Sequence, residues 1–421
     1  MPSPLASLSA AGVKRLNEVI ANAASAGDLP TFVFGATNLN QELYFNGHGP
    51  IDYHDAASPP AGPDSIYWIC SMTKFIASVA TLQLIDRALL TLDTPVSKFL
   101  PQFSDSVILQ YPFKVDKPAF KPLPVDKPVT VLNLLNHSSG LYYELKVPEP
   151  WYAMPIGYTG SHDKSNPLEG FFNKIRGDFP GIPLKFEPGT SWTYGYSCDI
   201  LGFLVQAVTG LTFEQYCQEN IFKPLGIRAS FYLTPSLKDD LVRLTYRNPD
   251  GAIVPWADQV PILEHDPEKV FAHLGGVGLY TSMRNYLTLL RHILRNKDDF
   301  PVRGARVLSR ASAESLFHPT LTPRGSAFLD RFNMTHEGLQ YSTGLALMGE
   351  DLPGMRKKGS GWWGGWAGTT FFLDPSSGIA VVFGSQMVPP GDEKVIKLQQ
   401  DLERALYASL EYADLEARPK L

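Results

Sequence analysis

Ser71 and Lys74 stand three residues apart in the run Trp68-Ile69-Cys70-Ser71-Met72-Thr73-Lys74-Phe75. Ser71 closes a short apolar run and opens a helical one, whose apolar stripe is Ile76, Val79, Leu82 and Ile85. Residues three apart on a helix share a face, so the spacing predicts the Lys74 amine one turn above the Ser71 hydroxyl. A serine hydroxyl is a poor nucleophile until a neighbouring base takes its proton. A lysine can do this if desolvation lowers its pKa, because burial disfavours the charged form. The start of the helix adds free backbone N–H groups suited to a developing oxyanion. The tetrapeptide alone is not decisive. Ser161 to Lys164 repeats it in a polar loop with no helix behind, and Ser71 also suits a plain helix cap.

A second cluster runs Glu187-Pro-Gly-Thr-Ser-Trp192-Thr-Tyr194-Gly-Tyr196-Ser-Cys-Asp199. A Pro-Gly turn leads into an aromatic loop, and Ile200, Leu204 and Val208 mark the helix that follows. A tyrosine at such a junction can project into a cleft, where a phenol beside a lysine can shuttle protons. Equally, it suits a core aromatic. The third cluster is Gly359-Ser-Gly-Trp362-Trp363-Gly364-Gly365-Trp366-Ala-Gly368. Its glycines allow close backbone approach by a ligand, and the Trp366 N–H is a candidate second oxyanion donor. A Gly-rich turn with packed indoles fits the same residues.

The elements that must position these groups come from both ends of the chain. Val13, Leu16, Val19, Ile20 and Ala23 mark one face of a helix over Ser9 to Ala26. Thr31–Thr37 and Glu42–Phe45 look like a hairpin. Thr369–Leu373 and Ile379–Gly384 form another around the turn Asp374-Pro-Ser-Ser-Gly378, and a helix over Glu393 to Ala408 closes the chain. This order predicts an α/β (α+β) fold with one antiparallel sheet built from both chain ends and terminal helices covering a face. The middle, about 72 to 300, is helix-rich with long loops. Tyr111–Val129, which repeats Val-Asp-Lys-Pro, is expected as a loop or flap, and Pro148–Pro183 as a loop and pocket wall.

Taken together, the three clusters resemble the serine β-lactamase-related superfamily: class C β-lactamases, DD-peptidases, esterases and acyltransferases. Ser71-x-x-Lys74 matches its first motif, and Tyr194 its Tyr-x-Asn motif. Trp363-Gly364-Gly365 stands where the Lys-Thr-Gly motif belongs. Leu90-Thr-Leu-Asp93-Thr-Pro-Val, Val131 to Leu141 around His137-Ser-Ser-Gly, and Gly275-Gly276-Val-Gly-Leu-Tyr-Thr-Ser282 follow in the family's order. The resemblance implies a β-lactamase/transpeptidase-like catalytic domain over 1–421. Its sheet subdomain would span about 7–100 and 270–415, and its mostly helical subdomain about 101–269. Two departures matter. Tyr196 replaces the Asn that orients an amide, and Trp363 replaces the cation that holds a carboxylate. Both argue against the alternative β-lactamase or peptidase-like amidohydrolase and resemble the esterase and transesterase branch, including fungal transesterases of secondary metabolism.

The implied chemistry is two-step acyl transfer. Ser71 attacks an ester or thioester, Lys74 and Tyr194 carry its proton, and the N–H groups of Ser71 and Trp366 hold the oxyanion. Trp192, Tyr196, Trp363, Gly364 and Gly365 are expected to contact substrate. Trp151, Tyr152, Phe171, Phe172, Trp192, Trp362 and Trp366 would wall the cleft for a bulky apolar or aromatic substrate. The partners are a small-molecule acyl donor and a water or alcohol acceptor, with a carrier-protein or CoA thioester as a further donor class. A non-catalytic scaffold is the reading from a different class.

The rest of the sequence removes competitors. A net charge of −5 and a pI near 6.0 lack the basic footprint of a nucleic-acid binder. The nine histidines show no metal-binding spacing, so neither metal nor cofactor is expected, and His137 reads as structural. Gly195 to Asp199 nearly spells a nucleophile elbow, but Asp199 replaces the last glycine. With 35 Gly and 35 Pro the chain is rich in loops. Cys70, Cys198 and Cys217 form no disulfide framework, and there is no signal pattern and no apolar run long enough to span a membrane, which together predict a cytoplasmic protein. The ending Pro419-Lys420-Leu421 resembles a peroxisomal address, although a polar tail fits as well.

Overall fold

In the computed structural model, which describes residues 3–110, 119–143, 155–158, 162, 164–256, 265–298, 300, 306–334 and 336–412, the two ends of the chain meet in one sheet. Its strands are β1 (Phe32–Asn38), β2 (Glu42–His48), β3 (Gln340–Tyr341), β4 (Ala346–Leu347), β5 (Gly361–Gly365), β6 (Thr369–Asp374) and β7 (Ile379–Gly384). They lie in the order β3-β4-β5-β6-β7-β1-β2, antiparallel throughout. The join is β7 on β1, from Ile379 opposite Asn38 to Gly384 opposite Val33. Asp374 builds the β6–β7 turn by accepting the N–H groups of Ser376 and Ser377.

Helices α1 (Ala10–Ala26), α2 (Thr73–Asp86), α3 (Pro167–Arg176), α4 (Ser197–Thr209), α5 (Met283–Lys297), α6 (Pro323–Asn333) and α7 (Glu393–Tyr407) surround the sheet. Successive strand residues point to opposite faces. Phe32, Phe34, Phe372, Val381 and Phe383 therefore meet Leu16 and Ile20 of α1 and Leu398, Leu402 and Leu406 of α7. Val33, Phe371, Leu373 and Val382 face the larger core with α2 and α5. The expected stripe on α2 is only part of what it buries. Thr73 through Leu84 are all buried, because the helix is enclosed on every side. Among the described residues no helix is long and apolar enough to cross a membrane.

The middle of the chain departs from its expected loops in two places. Phe120–Pro122 is a strand, antiparallel to Val107–Leu109, which itself runs parallel to Pro183–Leu184. Within Pro148–Pro183 lies α3, with Asn166 capping the N–H of Glu169, Pro167 in the first turn and Arg176 in the last. Those are ordinary start and stop signals, obscured in the sequence by the surrounding Gly, Pro and aromatic residues. Phe171 and Phe172 are consequently not cleft walls. Both are fully buried, with Phe171 5.0 Å from the Phe203 ring of α4 and Phe172 edge-on to Phe103. Trp151, Tyr152, Ser161, the first Val-Asp-Lys-Pro copy and Pro419-Lys420-Leu421 lie outside the described residues.

Candidate active site

Strand Ile66–Trp68 pairs with Tyr280–Ser282 and delivers the chain into a single turn, Cys70–Met72, that runs directly into α2. Ser71 therefore stands just ahead of the helix. The turn is held from both sides. Trp68 N–H donates to the Gln386 side-chain oxygen, Gln386 Nε2 donates back to the Trp68 carbonyl, and the Trp68 indole donates to Val277 O. Strand β5 comes close enough to Ile69 that a Cβ at Gly365 would lie 2.4 Å from its carbonyl oxygen. Cys70, before the serine, has φ of +45°. That conformation costs roughly 1–2 kcal/mol for a side-chain-bearing residue and persists because the packing around it is over-determined.

Lys74 and Ser71 are both buried, and Lys74 Nζ donates to Ser71 Oγ at 3.1 Å. The ammonium also donates to Gly276 O at 2.8 Å and sits 4.7 Å from the centre of the Tyr194 ring. Burial pulls the Lys74 pKa down, as the sequence suggests. Tyr194, Cys198 and Asp199 around the amine more than offset this, and the net direction is above the ordinary lysine value. This corrects the expectation of a lysine neutralised by desolvation: its neighbours hold it as a cation.

Tyr194 is fixed by aromatic groups on several sides. Trp363 Nε1 donates to its hydroxyl oxygen at 3.3 Å. The Trp192 ring lies nearly parallel to it at 6.3 Å, and Tyr143 meets it edge-on at 5.2 Å. His137, fully buried, is 5.4 Å away. Burial, and then the Lys74 charge, push His137 down to about 3, so its ring is neutral, in keeping with a structural role.

The third cluster divides by strand alternation. Trp363 faces the core and Tyr194, whereas Trp362 turns to the other side of β5 and pairs across from Phe372. Trp362, expected as a cleft wall, is thus on the opposite face from Trp363. Gly364 pairs with Thr370, and Gly365 with Thr369. The Trp366 ring is half-buried against Trp68 and Trp256. The Cys70 sulfur lies 3.9 Å from Ser71 Oγ. Tyr196 is buried among Tyr143, Tyr158 and Phe171, with its hydroxyl accepting the Gly157 N–H at 3.0 Å.

The structure also brings in residues that sequence reasoning did not single out. Phe332 of α6, half exposed, lies 5.2 Å from the Trp192 ring and 5.3 Å from Tyr194. Phe328 and Phe332, four apart on α6, were the available signal for an aromatic ridge. Tyr143 lies 5.6 Å from Lys74 Nζ, and Gly276 supplies the carbonyl that holds it. Among the described residues no group of three or more His, Cys, Asp or Glu is arranged to hold a metal. Chemically, the site offers a buried hydroxyl, an adjacent ammonium and a phenol oxygen that accepts the Trp363 indole N–H. These are the parts that nucleophilic acyl substitution needs.

The chain is similar to known proteins over most of its length. The chain is 29% identical over 368 residues to monacolin J acid methylbutanoyltransferase of Aspergillus terreus, covering 83% of this chain and 84% of that one. It is 27% identical over 410 residues to lovastatin esterase of Penicillium rubens, covering 91% and 96%. Unliganded simvastatin synthase of Aspergillus terreus superposes with a TM-score of 0.78 at 25% identity, over 95% of this chain and 99% of that one. The Beta-lactamase family model matches residues 16–406, and the chain belongs to that family.

Proposed function

We propose that this protein is a serine-dependent acyltransferase or esterase that works through an acyl-enzyme on Ser71. The observation that carries this reading is the Lys74 Nζ to Ser71 Oγ hydrogen bond of 3.1 Å inside a buried site. Similarity to a methylbutanoyltransferase and an esterase supports the same reaction class. Ser71 Oγ bonds to the carbonyl carbon of an ester or thioester as its proton passes to the Lys74–Tyr194 pair. Lys74, held as a cation, is the donating end of that pair, and in the reactive form Tyr194 is its phenolate, which takes the Ser71 proton and becomes the phenol. The N–H groups of Ser71 and Trp366 receive the carbonyl oxygen as it gains charge. The bond to the leaving group then breaks, the alkoxide or thiolate takes the proton from the pair, and the acyl group stays on Ser71. Water or an alcohol repeats the sequence in reverse and carries the acyl group away.

The donor is a small-molecule ester or thioester, with a carrier-protein or CoA thioester as the second class. The half-exposed ring of Phe332 beside Tyr194 favours a bulky apolar acceptor. The three free, buried cysteines are in keeping with a cytoplasmic setting.

The test is turnover of a chromogenic butyrate ester by wild type and by Ser71→Ala, with spontaneous hydrolysis subtracted, alongside intact-mass detection of a butyryl adduct. Turnover and a Ser71-linked adduct, both lost in the variant, are expected. Equal rates in the two proteins would sink the assignment.

A further inference from the structure

Asp199 breaks the apparent nucleophile elbow in the sequence, and in the structure it has a different task. It sits in the first turn of α4 with no exposed surface. Its Oδ1 accepts the Gly276 N–H at 2.8 Å, and its Oδ2 accepts the Tyr158 hydroxyl at 2.7 Å. Tyr158 shares a second hydrogen bond of 2.7 Å with the hydroxyl of Tyr143, whose ring flanks Lys74 Nζ. On its other side Gly276 presents the carbonyl that holds Lys74 at 2.8 Å. Asp199 and Lys74 therefore grip the same residue from opposite ends. A Cβ at Gly276 would stand 2.5 Å from the Tyr158 oxygen and 2.6 Å from Asp199 Oδ2, so only glycine can lie against this carboxylate.

We propose that Asp199 is a positioning residue for acyl transfer, fixing Gly276 so that its carbonyl aims the Lys74 ammonium at Ser71 while the carboxylate charge helps keep that ammonium charged. The inference rests on the reading of Ser71 as nucleophile. Burying a carboxylate is expensive, and packing alone would be served better by an apolar side chain. Here the cost is offset by two hydrogen bonds and the field of Lys74. The groups facing Asp199 are Lys74 from α2, Tyr158 and Tyr143 from the segments beside it, and Cys198 from its own helix. Burial raises Asp199 to about 6 against the pull of Lys74, Tyr158 and Gly276. The carboxylate is thus charged at neutral pH and loses its charge in mild acid.

The experiment uses the full chain and follows the rate at which a fluorophosphonate probe labels Ser71, mapped by mass spectrometry, from pH 5 to 9. This reads nucleophile activation without needing the natural substrate. Asp199→Asn keeps an acceptor for the Gly276 N–H, removes the charge, and puts an NH2 donor where Oδ2 accepts the Tyr158 hydroxyl. Labelling is expected to slow ten- to a hundredfold at pH 8, and the fall in rate below about pH 6 should flatten. Wild-type rates with an unchanged acid limb would overturn the proposal. Tyr158→Phe provides a second test should the Asn variant fold poorly. Losing one donor should move the acid limb to higher pH, and an unmoved limb would overturn the proposal too. Ser71→Ala separates the two readings. If the wild type labels at Ser71 and Asp199→Asn behaves like it, only the Asp199 role falls. If Ser71 is not labelled in the wild type, both fall.

Discussion

The indole N–H of Trp363 donates to the hydroxyl oxygen of Tyr194 across 3.3 Å, joining the third sequence cluster to the second. The position where the family resemblance expects a cation for substrate instead orients a phenol. A hydrogen bond that steadies developing charge is worth about 1.5–3 kcal/mol. Trp363→Phe keeps an aromatic ring against His137 and Tyr341 but removes this donor. It should lower kcat/KM on an aryl butyrate roughly ten- to a hundredfold while leaving Tm nearly unchanged. Unaltered kcat/KM would show that the Tyr194 oxygen does not depend on the indole.

Lys74→Met costs both activity and stability. The substitution removes a buried ammonium with its hydrogen bonds and leaves the Asp199 carboxylate without the cation whose field offsets its burial, which should cost about 3–5 kcal/mol of folding stability. No other side chain of α2 donates to Ser71 Oγ. We expect a loss of about a thousandfold or more in kcat, measured at a temperature where circular dichroism shows the variant folded, and a lower melting temperature. A folded variant that retains turnover would remove Lys74 from the mechanism, and an unchanged melting temperature would show that Asp199 does not depend on its charge.

How much of this was legible in the sequence depends on the distance between partners. The Ser71–Lys74 contact is local, set by three residues of helical spacing, and it is where the sequence reading expected it. The sheet joining both ends was legible as well, because Thr369–Asp374 and Ile379–Gly384 carry their own turn chemistry. The charge of Lys74 was not. It depends on Tyr194, Cys198 and Asp199, more than a hundred residues away, whose approach only tertiary packing decides. Trp362 and Trp363 look equivalent in the sequence, and the pleat of β5 sends them to opposite faces. Phe171 and Phe172 were misread for a similar reason: helix α3, once formed, turns both rings inward.

The buried histidines set a pH dependence of stability with a definite sign. Burial holds His137 at about 3 and His273 at about 4, against an ordinary value of 6.5. As pH falls below 6.5 the unfolded chain takes up protons at these sites and the folded chain does not. Their contribution is complete above pH 6.5 and is lost as pH drops toward those values, at about 1.4 kcal/mol per pH unit for each. Asp199 acts in the opposite sense. It is held at about 6 rather than 3.8, so between those values the folded state carries the extra proton and one histidine is cancelled. His137→Asn removes a titrating ring at a residue with φ of +59°, where Asn is tolerated. Urea melts at pH 4.5, 5.5 and 6.5 should show the slope of stability against pH reduced by about one proton. An unchanged slope would mean that His137 is not held neutral.

Phe332 tests how the aromatic rim selects substrate. Its ring is half exposed yet packs on both Trp192 and Tyr194, so it presents an open apolar face beside the candidate proton-transfer group. A flat or bulky group seated there would bury aromatic surface at about 25 cal/mol per Å² and add a ring contact of ~0.5–1.5 kcal/mol, whereas a short alkyl group would reach neither. Phe332→Ala should therefore lower kcat/KM about tenfold for 2-naphthyl butyrate and change it less than twofold for ethyl butyrate, mostly through KM. Equal losses on both esters would mean that Phe332 serves to hold Tyr194. No loss on either would place the substrate elsewhere in the cleft. Discrimination between the two esters is the outcome that ties this exposed ring to acceptor choice, because only a direct contact distinguishes substrates by the size of their leaving group.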